Sequence, residues 1–179
     1  MNALWDAYWP VLVAAAIIGL NAGAFAFRKQ AARQTQNGAA SRRGALILCA
    51  GVALTLAFGA LWHGPLGSGD GFAAAVEKQS RRTLIDFEMT QIQAGLERDP
   101  LRRTVVLSGP ADDFQRSELV RIIGAVPGVA SVRWADMPQP GRVPLLAEVE
   151  LGGLAGFGLG LLLAYLLELR RRSRAQWRW

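Results

Sequence analysis

An uncharged apolar run near the end of the chain constrains its fold more than any other feature. No charged residue occurs from Leu151 to Leu167, and arginines follow at positions 170, 171, 172 and 174. An apolar run of about 17–20 residues lets a helix cross the ~30 Å hydrocarbon core of a bilayer. Arginines clustered after such a run mark its cytoplasmic end under the positive-inside rule. The run therefore predicts a transmembrane helix at 147–169 and a basic cytoplasmic tail at 170–179.

Two further apolar runs have the same character, at 11–27 and 44–62. A basic segment separates them, and it falls on the same side of a membrane as the C-terminal arginines if all three runs cross. Asp6 stands where a cleavable signal peptide would carry basic residues, so we expect the first run to be retained. The predicted segments are a first transmembrane helix with an external N-terminus at 1–27, a basic cytoplasmic loop at 28–43 and a second transmembrane helix at 44–63.

The basic charge of the chain is concentrated beside these runs. The formal net charge is +6, but the stretch from His63 to Glu150 holds ten basic and twelve acidic residues. A nucleic-acid-binding protein would instead gather its positive charge on one surface of a soluble domain. We therefore expect membrane lipid, and no nucleic acid, among the partners.

The segment between the second and third runs predicts a small extracytoplasmic α/β domain at 72–136, with linkers at 64–71 and 137–146. Helix formers occupy 72–83, a turn at Glu97–Pro100 precedes a β-branched strand, and Asp112 or Asp113 caps a second helix. Residues 129–134 alternate as a closing strand. The predicted order is α-β-β-α-β, a small sheet with two helices over one face. Periodicity leaves 84–96 open between helix and strand.

Small residues recur at four-residue spacing in all three apolar runs. Such stripes let helix backbones approach closely where lipid removes the hydrophobic driving force. Two interpretations stay open: the three helices pack on one another, or one stripe stays free for an integral-membrane partner. The candidate helix-packing or partner residues are Gly19, Gly23, Gly152, Gly156 and Gly160.

Residues that carry chemistry are scarce. His63 is the only histidine and Cys49 the only cysteine, so neither a catalytic triad nor a metal cluster of these residues can form. The pair Asp112–Asp113 is better explained by helix capping than by acid–base catalysis. We predict no catalytic residue, no cofactor and no metal, and hence a protein that is not an enzyme. Whether His63 ligates a pigment or haem stays open.

Four arginines of the predicted domain are candidates for binding phospholipid headgroups. They form two adjacent pairs, one on the first predicted helix and one before the β-branched strand: Arg81, Arg82, Arg102 and Arg103. Solvated helix and strand faces are the first interpretation of these residues, and a basic patch for headgroups at the membrane surface is the second.

The predicted domain resembles a BON domain. In that family a strand ends in L-x-G, a helix follows, and G-V-x-x-V introduces the closing strand. The corresponding elements here are Leu107-Ser108-Gly109, the helix at 112–126, and Gly128-Val129-Ala130-Ser131-Val132. The resemblance implies association with lipid or the cell envelope, and it implies no catalysis.

The membrane segments resemble those of alphaproteobacterial OmpA-family envelope proteins. The resemblance lies in PLLAE before the last apolar run and ELRRR after it. In that family a peptidoglycan-binding OmpA-like domain follows, and this sequence lacks it, which argues against direct peptidoglycan binding. The resemblance implies a multi-pass protein of the bacterial inner membrane with a periplasmic domain.

Two functional hypotheses follow. The leading one is a non-catalytic inner-membrane envelope protein whose periplasmic BON-like domain binds lipid or another envelope component. The alternative is an accessory or assembly subunit of a larger respiratory or photosynthetic membrane complex, docked through the glycine-rich transmembrane helices.

Overall fold

The computed structural model describes residues 3–31, 39–138 and 141–176, and it contains five helices and three strands in this part of the chain. The elements in chain order are α1 (Ala3–Ala31), α2 (Ala39–His63), α3 (Ser68–Asp86), β1 (Gln93–Arg98), β2 (Leu101–Ser108), α4 (Asp113–Gly124), β3 (Ser131–Trp134) and α5 (Leu145–Gln176).

Three of the helices are long and apolar enough to cross a membrane, as the sequence predicts. Their spanning stretches are Leu4–Phe27 in α1, Arg42–His63 in α2 and Leu145–Arg174 in α5. Only about a fifth to a third of each stretch is buried within the protein, at 33%, 22% and 33%. Such helices leave most of their apolar surface for lipid, which indicates a membrane-associated protein.

The three strands form one sheet in the order β1-β2-β3, with β1 and β2 antiparallel and β2 and β3 parallel. The register aligns Leu96, Val105 and Val132 in one row across the sheet. Helix α4 makes the crossover that joins the parallel pair, because parallel neighbours cannot be linked by a short hairpin. The predicted α-β-β-α-β order is the order observed.

The core of the sheet domain lies on the face that Trp134 shares with α4. Leu107 and Ile123 are 0% exposed and Trp134 is 2% exposed. The indole Nε1 of Trp134 donates to the carbonyl oxygen of Arg116, and the guanidinium of Arg116 stacks over the indole ring at 4.7 Å. These contacts hold α4 against β3.

Helix α4 begins with a capping box. The carboxylate of Asp112 accepts from the backbone N–H of Gln115 at 2.7 Å, and the Gln115 side chain accepts from the N–H of Asp112. A carboxylate at this position also favours the positive end of the helix dipole. Of the two predicted capping residues, Asp112 is the one that caps.

Residues 84–96, for which the sequence pattern fits either a helix or a strand, contain the end of a helix and the beginning of a strand. Helix α3 continues through Leu84 to Asp86, and β1 begins at Gln93. At its other end α3 starts at Ser68, inside the segment that the sequence suggests is a linker. In the first turn of α3 a Cβ on Gly69 would lie 2.9 Å from the carbonyl oxygen of His63, so this close approach favours glycine.

The chain divides into two compact units. The α/β unit comprises Trp62–Glu148 with the residues before Tyr8, and the helical unit comprises Tyr8–Leu61 with the residues from Val149 onward. Parts of the predicted cytoplasmic loop and tail, at 32–38 and 177–179, lie outside the described residues.

Candidate functional site

The glycines of α1 and α5 form the tightest contact in the helical unit. A Cβ on Gly19 would collide with the carbonyl oxygen of Phe157, and one on Gly160 with that of Ala16. A Cβ on Gly156 would lie 2.6 Å from the carbonyl oxygen of Leu12. Backbone meets backbone at these points, which is how small-residue stripes hold transmembrane helices together.

Successive contacts between α1 and α5 involve residues that come later in the sequence of both helices. Leu12 meets Gly156, Ala16 meets Gly160, and Gly23 meets Ala164. Helices α1 and α5 therefore run parallel, and their C-terminal ends lie at the same end of the helical unit. One basic segment begins at the end of α1, and the other lies at the end of α5. This arrangement agrees with placing both basic segments on one side of a membrane.

The stripe of α2 also faces the other two helices. Gly51 lies against the Phe157 ring, and a Cβ on it would approach that ring to 2.8 Å. Thr55 is 2% exposed, and its hydroxyl donates to the carbonyl oxygen of Gly51 at 3.0 Å. Phe157 thus fills the space between small residues of all three helices.

The candidate glycines differ in how closely they are packed. Gly19, Gly23, Gly156 and Gly160 face the chain's own helices within 3 Å of an added Cβ, whereas Gly152 meets only the Tyr8 ring at 3.7 Å. A membrane partner that used the four tight glycines would first have to separate α1 from α5. Their assignment as partner-docking residues stays a prediction.

The exposed side of α3 carries a row of cations directly opposite its buried face. Lys78, Arg81 and Arg82 are exposed and follow the i, i+3, i+4 spacing that places residues on one helix face. Ile85 continues the row one turn later and is 55% exposed. We call Lys78, Arg81, Arg82 and Ile85 the basic stripe. Within the described residues none of its three cations forms an ion pair.

Two acidic residues of α3 lie near Arg98 of β1 instead of the basic stripe. The carboxylate of Glu77 accepts from Arg98 at 2.9 Å and from the backbone N–H of Leu96, and Asp70 lies 3.9 Å from the Arg98 guanidinium. The hydrogen bond and charge of Glu77 raise the pKa of Arg98. Because β1 uses these carboxylates, they do not neutralise the basic stripe. Asp86 is exposed at the C-terminal end of the helix.

The second candidate pair, Arg102 and Arg103, lies in internal ion pairs. Arg102 is 3.4 Å from the buried carboxylate of Glu97, which Arg133 approaches to 3.7 Å. Arg103 donates to the carbonyl oxygen of Gly128 at 2.9 Å and to Glu148 at 3.1 Å. Their side chains are only 17% and 22% exposed. The structure therefore separates the four candidate arginines into an exposed pair and a pair held in the protein.

Sequence reasoning missed two features of this region. Lys78 and Ile85 belong to the same exposed face as Arg81 and Arg82, and the helical spacing that relates all four is visible in the sequence. The Glu97–Arg102–Arg133 cluster joins residues from all three strands, and no local pattern marks it, since it depends on the strand register.

The described residues hold no cluster of histidine, cysteine and acidic side chains that could bind a metal ion. The imidazole of His63 packs against Gly69 in the first turn of α3, with an added Cβ only 3.0 Å from its ring. Cys49 is exposed within the apolar stretch of α2. Capping accounts for the carboxylate of Asp112.

No family model, curated protein or solved structure matches this chain.

Proposed function

We propose that the chain is a non-catalytic inner-membrane envelope protein whose periplasmic BON-like α/β domain binds anionic phospholipid headgroups. The membrane helices hold the domain at a bilayer, and the domain supplies the lipid contact through α3. Of the envelope components that such a domain could bind, anionic phospholipid is the one that the surface chemistry favours.

The basic stripe is the observation that carries this proposal. Three cations without an ion pair to any described residue share one exposed helix face with Ile85, and Phe87 just beyond the helix is 53% exposed. Cations beside exposed apolar side chains are typical of helices that lie on a membrane surface, where each Lys or Arg contributes ~1 kcal/mol near anionic lipid.

Two glycines support the resemblance to a BON domain. Gly109, which ends the L-x-G motif, has φ of 132° and would bring a Cβ within 2.6 Å of the Gln91 carbonyl oxygen. Gly128, which opens the G-V-x-x-V motif, has φ of 101°. Backbone at these angles favours glycine strongly, so both motif positions have a structural reason to be glycine.

Labelling α3 in nanodiscs tests the proposal with the full chain. Cys49→Ala removes the only cysteine, and Gln79→Cys then places one fluorescent label beside the basic stripe. We expect nanodiscs containing phosphatidylglycerol to shield the label from aqueous iodide, and nanodiscs of phosphatidylcholine alone to leave it accessible. Adding salt should reduce the shielding, because the attraction between exposed charges is screened.

The double variant Arg81→Gln/Arg82→Gln should abolish the shielding. Arg121→Gln/Arg142→Gln removes the same charge from exposed positions outside the stripe and should preserve it. Equal iodide access in both lipids, with the domain folded, would contradict the proposal. A label at Ser117 on α4 reports whether any shielding is general to the domain.

The accessory-subunit hypothesis rests on the glycine stripes, and in this structure the tight glycines face the chain's own helices. Native gel electrophoresis in mild detergent, with mass spectrometry of co-migrating chains, tests it separately. Migration within a large defined assembly would favour the subunit, and migration alone or as a small homo-oligomer would favour the lipid-binding protein.

A further inference from the structure

A groove lies between α1 and α5 near their C-terminal ends. Its volume is about 220 Å³, and its walls are mainly apolar. The lining residues are Leu20, Ala24, Phe27, Ala164, Leu167, Glu168 and Arg171. From Ala164 to Arg171 the groove follows α5 for about 10 Å, given the 1.5 Å rise per helical residue.

Two alanines, Ala24 and Ala164, contribute only methyl groups to the lining of the groove. Ala164 packs on Gly23 of the facing helix. The ring of Phe27, which also lines the groove, meets that of Tyr165 edge to face at 5.9 Å.

Among the described residues, the rim of the groove carries one arginine, Arg171, that is free to meet an anion. Glu168 is the only acidic lining residue, and its carboxylate accepts from Arg172 at 3.1 Å. Arg171 lines the rim and forms no ion pair within the described residues, and Arg170 and Arg174 stand beside it in the sequence. An anion at the rim would meet a guanidinium without a carboxylate partner.

We propose that this groove binds one anionic phospholipid, with an acyl-chain segment against Ala24 and Ala164 and the phosphate at Arg171. The site is separate from the basic stripe of the α/β unit and does not depend on the proposed function of that unit. It lies at the end of the helical unit that bears the basic segments, where the positive-inside rule places the cytoplasmic leaflet.

The dimensions of the groove fit part of a lipid better than they fit a helix of a protein partner. The groove has a volume of about 220 Å³ and follows α5 for about 10 Å, which suits a segment of one acyl chain. A partner helix is about 10 Å wide with its side chains and would need a longer open face. The apolar walls exclude a free phosphate ion as the preferred occupant, because they stabilise only a ligand with a hydrocarbon part.

Native mass spectrometry of the full chain, released from detergent with phosphatidylglycerol or phosphatidylcholine, tests the site. We expect one retained phosphatidylglycerol and weaker retention of phosphatidylcholine. Arg171→Gln should weaken phosphatidylglycerol binding about fivefold, the effect of one basic residue at a membrane surface. Ala24→Leu should weaken it at least as much by filling the groove.

Matched variants separate the groove from a general effect of charge or bulk. Arg170→Gln removes a neighbouring cation that does not line the groove, and Ala53→Leu adds the same bulk to an exposed position of α2; both should retain the lipid. Unchanged binding in Arg171→Gln and Ala24→Leu would overturn the proposal. Equal losses in Arg170→Gln and Arg171→Gln would overturn it too, since they would indicate diffuse attraction to the basic tail.

The basic-stripe variant distinguishes this site from the proposed function. Arg81→Gln/Arg82→Gln should leave the retained phosphatidylglycerol unchanged while abolishing the shielding of α3 in nanodiscs. Loss of the retained lipid in that variant would assign the adduct to the α/β unit and overturn the groove.

Discussion

The α/β unit and the helical unit pack their interiors with opposite kinds of residue. The α/β unit buries large side chains, including Leu107, Ile123 and Trp134, around its sheet. The helical unit buries small ones, with Ala15 and Ala22 at its centre and Phe157 as the large exception. Many of its long side chains point outward instead, and leucines at 151, 159, 162, 163, 166 and 167 of α5 are all at least half exposed.

The difference follows from the surroundings of each unit. In water, burying a Leu or Trp side chain removes apolar area from solvent and stabilises the fold. In a bilayer a leucine gains little by moving inward, because lipid tails are as apolar as the protein, and close backbone contact provides the stabilisation instead. One chain therefore follows two packing rules.

The same substitution in the two units should give the largest contrast. Leu107→Ala removes a fully buried side chain from the α/β unit and should cost about 2–5 kcal/mol. Leu159→Ala, at a position 55% exposed on α5, should change the stability of the helical unit by less than about 0.5 kcal/mol. Amide hydrogen exchange across β2 and across α5, in detergent micelles, measures both. A similar cost at Leu159 would show that protein, and not lipid, surrounds this side chain.

Adding a methyl group to a glycine of α5 should destabilise the helical unit where the glycine is closely packed and should have little effect where it is not. Gly160→Ala places a Cβ against the Ala16 carbonyl oxygen and should destabilise the helical unit by about 1–3 kcal/mol, as overpacking does. Gly158 has no atom within 4 Å of an added Cβ, so Gly158→Ala is the matched control. Unfolding in mixed micelles with increasing SDS measures the two variants. Equal stability of both would mean that α1 and α5 do not meet at their glycines.

The smallest expected effect concerns pH and belongs to the α/β unit alone. The hydrogen bond from Arg116 at 2.6 Å lowers the pKa of Asp136. A lowered pKa contributes stability that is fully present above the unfolded value of about 3.9 and is lost as pH falls through the lower folded value. Asp136→Asn should therefore reduce the loss of stability on acidification by a small amount.

Urea unfolding monitored by tryptophan fluorescence, at about pH 6 and about pH 3 on either side of the carboxylate range, measures this difference. A pH dependence unaltered by Asp136→Asn would show that the Arg116–Asp136 pair does not persist in solution.

Local patterns made much of the fold predictable. Three runs without charge predicted three spanning helices, and Asp112 or Asp113 marked the start of α4, where the structure assigns the cap to Asp112. The stretch at 84–96 was ambiguous because Ile85, Met89 and Ile92 fit a helix while later residues alternate as in a strand. The register with β2 resolves it, and register is a non-local property.

The candidate site was less predictable than the fold. Arg81 and Arg102 have similar sequence neighbours, since each is followed by a second arginine. Arg81 lies on the exposed face of α3, whereas Arg102 lies beside the buried carboxylate of Glu97. Ion pairing depends on which strands are neighbours, so no reading of adjacent residues separates the two pairs.

The sequence by itself determined the number and length of the apolar helices, the order of the small domain and the sites of basic charge, because each depends on residues close together in the chain. Only the tertiary structure decided which glycine faces meet, which arginines stay exposed, and where α1 and α5 leave a groove with Arg171 at its rim. These properties arise from contacts between distant segments, whose geometry is set by packing and not by local propensity.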